Sequence, residues 1–161
     1  WSPPEQMVLF FEDLKISKSM RNIINQRKFK VTFNTAFRDV ILNCKKISRK
    51  DQQGTWITDN MVEAYCKLHE LGIAKSVEVW QDDELVGGLY GVDLGHIFCG
   101  ESMFSKVSNA SKIAFIALAK QLEMANYRLL DCQVYNDHLA SLGCVEIERE
   151  DFLMILTNKF F

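Results

Sequence analysis

Proline is almost missing from this 161-residue chain, which has only Pro3 and Pro4. No low-complexity tract stands beside them, so a long disordered segment is not expected. No apolar run approaches the ~18–20 residues that a membrane span needs. The longest, Ile113 to Ala119, reads as a buried helix segment, and no membrane partner is expected. The chain opens on Trp1 with no basic stretch leading into an apolar one, so no signal peptide is read. A fragment whose natural N-terminus is missing is the expectation. No C-x-x-C pair occurs among the five cysteines Cys44, Cys66, Cys99, Cys132 and Cys144. That argues against a disulfide framework or structural zinc and for a reducing, cytoplasmic setting. His69, His96 and His138 lack metal-ligand spacing, and no metal is expected.

What is present is a globular balance, with 48% hydrophobic and 25% charged residues. The length suits one domain, or one domain and a piece of another. A net charge of −2 hides a strong asymmetry. Eleven basic residues fall between Leu14 and Lys50: Lys15, Lys18, Arg21, Arg27, Lys28, Lys30, Arg38, Lys45, Lys46, Arg49 and Lys50. Only Asp39 opposes them, so this stretch carries +10 and the remainder −12. Such segregation is the footprint of a phosphate-rich partner, with an ordinary solvated surface as the alternative. Lys18, Arg21, Arg27 and Lys28 are the candidates for contacting a nucleic-acid backbone.

Periodicity orders the rest. Met7 to Phe11 is strand-like. Ser17 or Ser19 caps a basic helix to about Gln26, and Val31 and Phe33 alternate as in a strand. Asn34 or Thr35 is expected to cap a helix bearing Phe37, Val40, Ile41 and Cys44. A loop spans Ser48 to Gly54, and Thr58 or Asp59 starts a helix that Gly72 ends. Strands follow at Ser76 to Trp80, Leu85 to Val92 and about His96 to Glu101, the first two joined at Asp82-Asp83. A long buried helix runs from Ser108 or Asn109 to about Asn126. A strand at Arg128 to Val134, a short helix, a strand at Val145 to Glu148 and a last helix complete the chain. This succession gives an α/β fold with a mixed sheet and helices on both faces, as in GNAT-type acyl-transfer proteins.

Several segments carry more information than periodicity does. They are Trp1-Ser2-Pro3, Gly54-Thr55-Trp56-Ile57-Thr58, Glu78-Val79-Trp80, Leu85-Val86-Gly87-Gly88-Leu89-Tyr90-Gly91, Phe98 through Ser105, Asp131 through His138, and Ala140-Ser141-Leu142-Gly143. As an ordered set over nearly the whole chain, they resemble the leucyl/phenylalanyl-tRNA–protein transferase family. The resemblance implies residues 1–13 as the remnant of a small N-terminal domain and 14–161 as a GNAT-like catalytic domain. It implies an aminoacyltransferase that needs no cofactor and acts as a monomer. Leucine or phenylalanine would move from aminoacyl-tRNA to proteins beginning with Lys or Arg, marking them for degradation by the N-degron route.

Asp131 and Gln133 lie two apart on a strand, a spacing that points both to one face. The resemblance makes them the catalytic pair, with Asp131 orienting Gln133 and Gln133 accepting from the attacking amine. Read without the resemblance, Asp131 is first a structural carboxylate capping a neighbouring loop, since Asp and Gln are common at strand ends. Glu101 matches the carboxylate that receives a cationic acceptor residue. Leu89, Phe98, Met103, Phe115, Leu118, Leu122 and Leu130 match the aminoacyl pocket. Plain core is the other reading for each, above all for Leu130, which alternation places opposite Asp131. Trp1, Trp56 and Tyr65 match aromatics around the terminal adenosine of tRNA, where stacking on a base is worth ~1–3 kcal/mol.

An acyl-CoA-dependent N-acetyltransferase is the competing enzyme. Its glycine-rich pyrophosphate turn is not found in Ser105-Lys106-Val107-Ser108-Asn109-Ala110-Ser111. A non-catalytic RNA-binding module would leave Asp131, Gln133 and Glu101 without a role.

Overall fold

The computed structural model describes residues 4–47 and 56–158. Seven strands join one sheet: β1 (Glu5–Leu9), β2 (Lys30–Phe33), β3 (Ala74–Gln81), β4 (Glu84–Asp93), β5 (Ile97–Ser105), β6 (Leu129–Gln133) and β7 (Val145–Glu148). The α-helices among the described residues are α1 (Lys18–Asn25), α2 (Phe37–Lys46), α3 (Asp59–Glu70), α4 (Ala110–Met124), α5 (Asp137–Ala140) and α6 (Arg149–Thr157). None of them is long and apolar enough to cross a membrane. The strand order is β2-β3-β4-β5-β6-β1-β7. Every pairing is antiparallel except that of β5 with β6, which the long α4 connects.

Strand alternation divides the core between the two faces of the sheet. Met7 and Leu9, Val77 and Val79, and Leu89 and Leu130 meet α4 on one side. Phe11 and Met20, which lie outside the sheet, join the same cluster, so α4 is buried on more than its sheet-facing side and is apolar around most of its circumference. The opposite face packs Tyr90 and Phe104 against Phe37, Val40 and Ile41 of α2 and Val62 of α3. Farther along, Val8, Ile97 and Leu129 pack against Phe152 of α6. β1 comes from the stretch set apart as the end of a preceding domain, yet it hydrogen-bonds between β6 and β7. A division at residue 13 therefore does not show as a break in the sheet.

Ser17 caps α1 as expected, its hydroxyl accepting from the Met20 N–H at 3.1 Å. Neither Asn34 nor Thr35 caps α2, however. Ala36 holds that position without a side-chain cap, and the buried Glu78 carboxylate accepts from its N–H at 3.1 Å. The same carboxylate accepts from Ser76 Oγ at 2.6 Å, Thr32 Oγ1 at 2.9 Å and Thr35 Oγ1 at 3.2 Å. A buried charge is tolerable when its lone pairs are met in this way and a helix N-terminus faces it. Glu78 thus fastens β2, β3 and the start of α2 together. Leu71, the residue that ends α3, is 73% exposed.

Candidate active site

Pairing between β5 and β6 ends at Cys99 and Asp131, although β5 runs on to Ser105. Beyond that point the strands part around a cleft of about 340 Å³. Gly100 to Met103 line one wall and Asp131 to Asn136 the other, and Leu89, Phe115, Leu118 and Leu130 give an apolar floor.

Two bulges shape this fork. Tyr90 pairs with Ser102 and Gly91 with Gly100, so Glu101 is the extra residue on β5. Met7 faces Gln133 and Val8 faces Asp131, so Cys132 is the extra residue on β6. A bulge bends its strand and re-aims the neighbouring side chains. Gln133 follows at φ +67, in the left-handed region that costs a non-glycine residue free energy.

Asp131 holds that conformation. Its Oδ1 accepts from the Gln133 backbone N–H at 2.9 Å and from Gln6 Nε2 at 2.6 Å. Gln133 Nε2 in turn donates to the Gly100 carbonyl at 2.8 Å, bridging the fork. Asp131 therefore orients Gln133 through the main chain, across a bulge, and not through the simple two-residue alternation of a flat strand.

Burial governs the charges here. It raises the Asp131 carboxyl above the usual carboxylate range, and hydrogen bonds from Gln6, the Gln133 N–H and the Cys99 thiol hold it back in part. Burial likewise raises Glu101, and the nearby Asp131 charge adds to the rise. Hydrogen bonds from the Gln133 amide and the Tyr65 hydroxyl oppose it. The Cys99 thiol is pushed up to about 12, by burial first and then by Asp131. The cleft thus gathers two carboxyls that burial raises and an oriented amide above an apolar floor.

The family model described as leucyl/phenylalanyl-tRNA protein transferase matches residues 8–157. The chain belongs to the leucyl/phenylalanyl-tRNA–protein transferase family. It is similar to a protein of that name from Flavobacterium johnsoniae, at 68% identity over 99% of this chain and 75% of the relative. A relative of the same name from Flavobacterium psychrophilum is 67% identical over 97% of this chain and 74% of its own. Among solved structures, the fold resembles a Bacteroides thetaiotaomicron protein of unknown function (TM-score 0.60, 13% identity, 86% of this chain and 54% of the other). It also resembles an aminoglycoside acetyltransferase from an uncultured soil metagenomic sample (TM-score 0.51, 13% identity, 84% of this chain and 91% of the other). The mixed sheet with helices on both faces is thus a GNAT-like fold.

Against this transferase family, the expected site residues distribute unevenly. Asp131, Gln133, Glu101, Leu89, Met103, Phe115, Leu118, Leu130 and Trp56 all line the cleft. Leu130 is both core and floor, since it is 1% exposed yet faces the opening. Phe98 and Leu122 are core only. Phe98 pairs with Leu130 before the strands part, and its ring fills the space a side chain at Gly91 would need. Leu122 lies one helical turn past Leu118, deeper along α4.

Tyr65 packs edge-on against Tyr90 at 5.4 Å and turns its hydroxyl to Glu101. Trp1 lies outside the described residues. Lys18, Arg21, Arg27 and Lys28 are exposed and stand away from the cleft. The residue that the sequence concealed is Gln6, which is 125 positions from Asp131 and has no local motif to mark it.

Proposed function

We propose that this chain transfers leucine or phenylalanine from aminoacyl-tRNA to the N-terminus of acceptor proteins that begin with Lys or Arg. The observation that carries this reading is the fork itself, in a chain of this family: an apolar floor for the aminoacyl side chain beneath Asp131, Gln133 and Glu101. The acceptor's α-amino nitrogen attacks the ester carbonyl, the C–N bond forms, the C–O bond to the terminal ribose breaks, and the proton the amine loses ends on the departing ribose oxygen. Gln133 Nε2 donates to the Gly100 carbonyl, and the carbonyl oxygen of the same amide is the acceptor that receives the amine. Glu101, beside that amide, receives the side-chain cation of the acceptor. Trp56, 42% exposed at the cleft, offers a stacking face to the terminal adenosine.

The test is to incubate the protein with phenylalanyl-tRNA and peptides beginning with Arg or Ala, and to measure which are extended. No extension of the Arg peptide would refute the reading. Glu101→Gln keeps the volume and removes the charge, so preference for Arg over Ala should fall. A charged hydrogen bond is worth ~1.5–3 kcal/mol, roughly ten- to a hundredfold. Because burial raises Glu101, its charge is lost at a less acidic pH than that of an ordinary glutamate. The preference of the unaltered protein should therefore fade correspondingly early as pH falls.

The exposed cations of α1 and the turn after it supply the tRNA surface in this reading. Replacing Arg21, Arg27 and Lys28 with Ala should flatten the dependence of tRNA affinity on salt. Each lost phosphate contact removes about 0.9 from the log–log slope by the duplex rule. Binding of phenylalanyl-adenosine should not change, since these residues lie outside the cleft. An unaltered slope would move the tRNA surface elsewhere.

A further inference from the structure

The sulfurs of Cys132 and Cys144 stand 3.7 Å apart. One belongs to β6 and the other directly precedes β7, and β1 runs between those strands. Their settings differ. Cys144 is buried, while Cys132 is partly exposed and lines the cleft. The separation is van der Waals contact, about 1.6 Å longer than a disulfide bond of ~2.05 Å. Cys132 is well suited to close that gap, because as the bulged residue it has no ladder partner on β1.

Cys144 is more firmly held. Gly143 before it adopts φ +106 against the Asp13 carbonyl, and the Cys144 N–H donates to the Leu139 carbonyl at 3.2 Å.

We propose that Cys132 and Cys144 are a peroxide-responsive thiol pair whose disulfide disables the adjacent cleft, a consequence that rests on the transferase reading above. The Cys132 sulfur attacks one oxygen of hydrogen peroxide, the O–O bond breaks, and a sulfenic acid and one water result. The Cys144 sulfur then displaces the sulfenic oxygen, which leaves with the remaining proton as a second water. Two thiols are oxidised to one disulfide, and one peroxide is reduced to two waters. Cys132 sits between Asp131 and Gln133, so drawing it toward Cys144 pulls on the 2.9 Å bond from the Gln133 N–H to Asp131.

The thiol–thiol hydrogen bond, together with burial, keeps Cys132 protonated. Oxidation is therefore slow at neutral pH and quickens as pH rises.

The experiment treats the reduced chain with excess hydrogen peroxide and maps the linkages by peptide mass. The Gln133 amide is followed by hydrogen exchange, and transfer by single-turnover assay. Expected are a Cys132–Cys144 link, faster exchange at Gln133, and at least a tenfold loss of transfer that dithiothreitol restores. Cys144→Ala should keep basal transfer and resist the reversible loss. Cys144→Ser repeats the control should the alanine variant fold poorly. No such link, or a link that leaves Gln133 exchange unchanged, overturns the proposal. Linkage and exchange are read whether or not the chain transfers amino acids. A chain that shows both on oxidation but extends no peptide while reduced supports the thiol pair and counts against the transferase reading alone.

Discussion

Gln133→Ala is expected to slow single-turnover transfer from phenylalanyl-tRNA to an Arg-initiated peptide by roughly 10²–10⁴-fold, the range for a positioned proton acceptor. Two effects are mixed in that substitution, because alanine keeps the strained φ of +67 but loses the bond from the side-chain amide to the Gly100 carbonyl that helps hold it. Gln133→Gly separates them. Glycine adopts that conformation freely, so a comparable loss belongs to the missing amide and not to a distorted backbone. Gln133→Glu should fail to restore the rate, because a carboxylate cannot donate to the Gly100 carbonyl that the amide now bridges. It would also stand beside the carboxyl of Glu101. A Gln133→Gly variant within tenfold of the unaltered protein would remove Gln133 from the chemistry.

The same residue marks the limit of what sequence pattern reveals here. Local periodicity carried the element order, because one buried face dictates a period near two in a strand and 3.6 in a helix. The caps Ser17 and Thr58 were legible because each bonds three residues ahead, to Met20 and Met61. Distant pairing was not. β1 is five residues long, and its place between β6 and β7 is decided by partners more than a hundred positions away. The α2 cap failed for a similar reason, its acceptor being Glu78 from another strand.

Asp131 and Gln133 could be paired from their spacing, but the means of pairing could not. An extra residue at Cys132 and a left-handed Gln133 leave no trace in residue type, since glutamine has no marked preference for positive φ. Alternation likewise could not divide the apolar residues between floor and core. Leu118 and Leu122 share a helix face, and only the point where β5 and β6 part separates them.

Asp131→Asn should affect rate and stability in opposite directions. Both Gln6 and the Gln133 N–H donate to Oδ1, an acceptor that asparagine can retain. The substitution therefore keeps the posture of Gln133 while removing the negative charge behind it. Transfer should fall at every pH between about 6 and 9, a range that brackets the acceptor's α-amino group at ~7.7–8.0. The rising limb of the rate should stay in place, because it reports deprotonation of that amine and not of Asp131.

Stability follows from the raised Asp131 carboxyl, whose principal cause is burial. A folded pKa above the unfolded one means that the native state disfavours the ionised form. That penalty is fully present above the folded pKa, fades as pH falls through it, and is gone below the unfolded value. The asparagine variant should therefore melt at a higher temperature than the unaltered protein at pH ~7, with the difference closing on acidification through the carboxylate range. Thermal unfolding across that range, read beside the pH–rate profile, checks both halves. A variant that loses rate and stability together would make Asp131 a structural tie for Gln6 and Gln133. One that loses neither would leave its buried charge without a part in the reaction.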